Sequence, residues 1–214
     1  MATLEAGVLW LHIAAGVVAL IAGFAALVTT KGGLRHRRAG KIFVVSMAVV
    51  VGTVVPLLMF DPTPFRRILT LVAVFSGYLA FSGYRVLSRK RPADDAHPVD
   101  WGAAGTVVLA CLGLGGWGLV QLLAGDSFGV VMVVFGGIGL VFGGMDLRAF
   151  RATASGSEWM ITHLQRMVGA YIATVSALSA VNLTSMLGVV AWLWPTAVGV
   201  PLIWYFQAQY ANEG

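Results

Sequence analysis

The chain has 214 residues, of which 58% are hydrophobic and only 11% charged, with a mean hydropathy of +0.86. Soluble domains carry about 25% charged residues, so a water-soluble fold of this size is excluded by the apolar surface it would have to hide. The net charge of +5 does not indicate nucleic acid, because the basic residues alternate between loops instead of forming one patch.

A bilayer span needs roughly 20 apolar residues. The apolar runs predict helices over residues 6–30, 39–60, 65–89, 100–124, 127–150, 158–183 and 186–210. The expected fold is therefore all-α, a single polytopic domain of seven transmembrane helices over residues 1–214 with short loops. The first run follows Glu5 and no basic residue, and it exceeds the apolar core of a secretory signal, so it reads as a retained span. Ala15, Gly16, Ala19, Gly23 and Ala26 lie near one of its faces, and His12 shares that face by three-and-four spacing. Lys31-Gly32-Gly33 ends it. Asp61-Pro62-Thr63-Pro64 divides the second helix from the third, and Arg91-Pro92 opens a polar loop in which His97 reads as solvated. In the fourth helix, Cys111 reads as a small core residue. Gly125-Asp126 links the fourth helix tightly to the fifth. Small residues concentrate in the fourth, fifth and sixth helices, where they permit close backbone approach in a medium without a hydrophobic effect between helices. Pro56, Pro195 and Pro201 fall inside helices, as a bundle tolerates.

Lys31, Arg35, Arg37, Arg38 and Lys41 fall in the first connection, Arg85, Arg89, Lys90 and Arg91 in the third, and Arg148, Arg151 and Arg166 in the fifth. The even connections carry only Arg66 and Arg67. Positive loops stay inside, so the expected N-terminus is outside, the C-terminus cytoplasmic, and the location a bacterial inner membrane.

Ionisable groups within a membrane bundle mark sites of chemistry. His36 and Arg37 precede the second helix and His163 and Arg166 begin the sixth, at a similar depth on one side, with Asp146 near the same end of the fifth. Two imidazoles at one depth can hold a haem b iron, with arginines for its propionates. The set His36, His163 and Asp146 could instead take a divalent metal. Arginines snorkelling to lipid phosphates account for the charges without any ligand. His12 lies about one to two turns into the first helix, near the opposite surface of a core about 30 Å thick, so it does not share a ligand with His163. It reads as a structural histidine or as a separate ligand or proton group. Arg37, Gly40 and Phe43 share with Arg166, Gly169 and Tyr171 the pattern arginine, two residues, glycine, then an aromatic, a weak internal repeat. The last helix has no lysine for a retinal Schiff base, and no phosphate loop, zinc-protease pair or hydrolase elbow occurs.

Leu11-His12 to Gly16, Lys31-Gly32-Gly33 with His36-Arg37 and Gly40-Lys41, and His163 with Arg166-Met167 and Gly169-Ala170-Tyr171 resemble the bacterial membrane proteins of domain-of-unknown-function family 2306. The resemblance runs from the first helix to the sixth. It implies a multi-pass bundle and supplies no catalytic residues. The leading expectation is a cofactor site for haem b or metal around His36, Arg37, Asp146, His163 and Arg166, with His12 apart, in electron transfer or quinone-linked redox. A small-solute transporter lined by Tyr78, Ser82, Thr174, Ser176 and Asn182 is a second reading, and an accessory subunit bound to a larger membrane protein a third. With His97 read as a loop residue, too few histidines lie within the helices for two bis-histidine haems, which need four.

Overall fold

The computed structural model describes residues 2–91, 94–151 and 158–211, so Pro92 lies outside the described residues. Seven helices follow one another: α1 (Ala2–Val28), α2 (Leu34–Phe60), α3 (Pro64–Arg85), α4 (Pro98–Leu123), α5 (Gly129–Ala149), α6 (Glu158–Leu187) and α7 (Val190–Ala211), with a 3-10 turn at Val86–Ser88 after α3. No strand occurs among the described residues. The hydrocarbon-like composition explains this, because a helix satisfies its backbone internally where water is absent. The first six helices are long and apolar enough to cross a membrane. α7 forms where the seventh span was expected but falls outside that set, because Pro195, Pro201, several indoles and Gln207 replace aliphatic side chains.

α2 begins at Leu34, five residues before the expected start, so His36 and Arg37 lie within its first turn. α6 starts at the expected Glu158 but runs four residues further, to Leu187, and α7 starts four residues later than expected, at Val190, with Gly188 between them at φ 53°. His97 is the N-cap of α4 instead of a free loop residue: Asp100 Oδ2 accepts from its backbone N–H at 3.0 Å.

α3 and α6 form the centre. α3 packs on α2, α4, α5 and α6, while α6 packs on α1, α3 and α7. α4 and α5 approach most closely through small residues. A Cβ on Gly136 would stand 2.8 Å from Gly115 N and 2.9 Å from Cys111 O, so the two backbones touch there. The core between the helices holds Phe43, Met47, Phe75, Leu79, Leu114 and Phe135, all nearly inaccessible.

Ionic pairs fasten both ends. At the Glu5 end, Arg66 donates to Glu5 Oε1 at 3.0 Å and to Leu57 O at 2.8 Å, and lies 3.5 Å from Asp61 Oδ2. At the other end, buried Asp100 receives Arg85 Nε at 2.8 Å and stands 2.9 Å from Arg89 Nη1. Arg89 also covers the Phe150 ring at 4.7 Å. Trp192 of α7 is fully buried and meets Phe65 and Phe128 edge-on, with centroids 5.8 and 6.4 Å away.

Candidate functional site

The loop at Thr29–Gly33 returns the chain beside the end of α1, where the last carbonyls of that helix have no partner within it. His36, in the first turn of α2, faces these carbonyls, and its Nδ1 lies 3.0 Å from Ala26 O. Lys31 Nζ reaches Ala26 O at 3.3 Å and also donates to Leu27 O. A cation and an imidazole N–H are the groups that favour a helix C-terminus. The same arrangement recurs at α3. His163 of α6 places Nδ1 2.7 Å from Gly83 O, within the last turn of that helix. A carbonyl only accepts, so both rings carry a proton on Nδ1, and in the neutral form Nε2 holds the lone pair.

The two rings come together, with centroids 6.4 Å apart and planes at 77°. Both line one cavity of about 760 Å³. Gly23, Ala26, Phe43 and Tyr171 form its apolar depth, Trp159 and Tyr84 flank it, and Lys31, Arg37, Lys41, Arg85 and Lys90 supply cationic lining. Lys90 lies over the Trp159 ring at 4.3 Å. Arg85 is committed to Asp100. An apolar interior with a few convergent polar groups is the form of a small-molecule site.

Three of the expected site residues lie elsewhere. Arg166, one turn beyond His163, does not line the cavity. It is 1% exposed, donates from Nη2 to Asp146 Oδ1 at 2.7 Å and to Phe142 O at 3.1 Å, and stacks on the Phe142 ring at 4.2 Å. Asp146 is occupied by that arginine and by the Tyr78 hydroxyl. It therefore does not complete a metal shell with His36 and His163, and no group of three potential ligands forms among the described residues. The sequence grouped Asp146 with the two histidines but could not show that Tyr78 and Arg166 enclose it from α3 and α6.

His12 is separate. Its Nδ1 lies 2.8 Å from Thr53 Oγ1, which also stands 2.8 Å from the Val49 and Val50 carbonyls. His12 thereby joins α1 to α2. Fourteen residues separate it from Ala26, or about 21 Å along the helix. Of the polar groups considered for a transport path, the Ser82 and Thr174 hydroxyls and the Asn182 amide donate to carbonyls of their own helix, at 3.4, 2.8 and 2.7 Å, while Tyr78 donates to Asp146 and buried Ser176 has no partner among the described residues.

Comparison with family models, curated proteins and solved structures gives no match. The resemblance to the domain-of-unknown-function family rests on the short motifs alone.

Proposed function

We propose that the chain is a multi-pass protein of the bacterial inner membrane that holds one haem b between His36 and His163 at its cytoplasmic end, as a one-electron carrier. The observation that carries this reading is the meeting of two imidazoles from distant helices in one cavity, each with Nδ1 tied to a carbonyl and Nε2 left as a ligand atom.

The donor set favours haem over a bare ion. Zinc takes three or four protein ligands, and the cavity offers two imidazoles without a carboxylate or thiolate. Haem would bring four nitrogens of its own, so His36 and His163 would be enough to complete its ligand set, and their rings lie 6.4 Å apart. The backbone carbonyls that fix the rings are the usual outer partners of metal-bound histidine. Arg37, Lys41 and Lys90 line the same cavity and suit the two propionates. Its volume lies in the range of cofactor pockets, about 300–1,000 Å³.

When bound, the group supplies one-electron exchange at iron. The chain's own residues orient it, exclude lipid from its faces and compensate its carboxylates. The cytoplasmic placement is supported by the charges: Arg66 at the Glu5 end is compensated by Glu5 and Asp61, whereas Arg35, Arg37, Arg38 and Lys41 crowd the other end.

The test is an ultraviolet–visible spectrum of detergent-purified protein from haem-replete cells, before and after dithionite. A Soret band that sharpens and shifts on reduction, and is lost in His36→Ala and His163→Ala but kept in His12→Ala, is expected. A featureless spectrum of the unaltered protein would overturn the proposal.

A further inference from the structure

None of Tyr78, Asp146 and Arg166 lines the cavity, yet the buried cluster they form is costly. The Arg166 guanidinium is almost inaccessible, and its Nε and Nη1 have no hydrogen-bond partner among the described residues. Breaking such a pair is strongly destabilising, but replacing both members by apolar residues is often harmless. Stability alone therefore gives little reason for it.

Its location gives a better one. Arg166 lies three residues after His163 on α6, so the two side chains project from the same side of adjacent turns. Asp146 and the Phe142 carbonyl hold the guanidinium from α5, and Tyr78 holds Asp146 from α3. At the same level, Gly83 admits α6 closely: a Cβ there would lie 2.9 Å from Arg166 Cβ. The carbonyl of that glycine is the one that binds His163 Nδ1. One contact thus joins the ionic cluster to the histidine's orienting bond.

We infer that Tyr78, Asp146 and Arg166 are positioning residues that fix the rotation of α6 against α3 and so direct His163 Nε2 into the cavity. The spectral part of the test rests on the haem reading; the chemical part does not. The variants are Asp146→Asn, which breaks the pair, and the double variant Asp146→Leu with Arg166→Met, which removes both charges and keeps the volume apolar.

In the haem-free protein, diethylpyrocarbonate modification is followed by peptide mass. Several-fold faster modification of His163 is expected in both variants, with His12 and His97 unchanged. In protein reconstituted with haem, the variants should lose the six-coordinate low-spin spectrum, and added imidazole should restore it. A His163 rate and spectrum equal to those of the unaltered protein in the double variant would overturn the inference. So would acceleration at all three histidines together, which reports general loosening. If the unaltered protein takes up no haem, the haem reading falls while the His163 rate still decides this one.

Discussion

The tautomer of a histidine is set by its neighbour, and a backbone partner fixes three of the four imidazoles here. Ala26 O and Gly83 O accept from Nδ1 of His36 and His163, and the Val99 N–H donates to Nδ1 of His97. At His12 the bond to the Thr53 hydroxyl serves the α1–α2 seam. Thr53→Val should remove that bond and cost about 0.5–1.5 kcal/mol, seen as a lower midpoint of thermal unfolding with the cavity between His36 and His163 unaffected. Unchanged stability would show that His12 finds another partner. The depth of His36 and His163 was legible in the sequence because each stands just ahead of an apolar run. The burial of Arg166 was not: an arginine at the start of a membrane helix commonly snorkels, and only Asp146 and Tyr78, distant in sequence, draw it inward. Arg166→Ala leaves the Asp146 carboxylate buried with only the Tyr78 hydroxyl. About 3–5 kcal/mol of stability should be lost, measurable by the temperature at which helicity collapses in detergent.

Helices pack here by small residues, and those residues were partly readable. In α5, Gly129, Gly136, Gly139 and Gly143 stand against α4, with Gly136 against the backbone at Gly115, whereas Gly137 and Gly144 face open space. Gly116 of α4 has open space where a Cβ would lie, so composition alone overstates how much of that helix is packed. Gly136→Val should push the two helices apart and cost about 1–3 kcal/mol by overpacking. Gly116→Ala should change stability by no more than about 0.5 kcal/mol. Equal melting temperatures for the two variants would refute the contact. Helix ends were the least legible elements. The charged segment Arg35-His36-Arg37-Arg38 reads as a loop by hydropathy, yet it is helical because straight-chain basic residues are good helix formers. That extra turn brings His36 under the end of α1.

Across the whole molecule the charge pattern was the clearest signal, and it orders the ends of the bundle in the structure as well. Arg85 and Arg89 converge on Asp100 at one end, and Arg66 is enclosed by acids at the other. The proposed orientation predicts that Asp126→Cys is labelled by an impermeant maleimide in intact cells and that Asp95→Cys is labelled only after lysis; the reverse pattern would invert the topology. Cys111 is buried and should stay silent in both. The architecture as an all-helical membrane-like bundle was readable, whereas α7 was read as a span equal to the others. Its aromatic character gives it another task. Trp192 fills the gap between Phe65, which opens α3, and Phe128, which precedes α5. One buried indole of α7 thus joins the starts of α3 and α5 and closes the pole of the bundle opposite the histidine cavity.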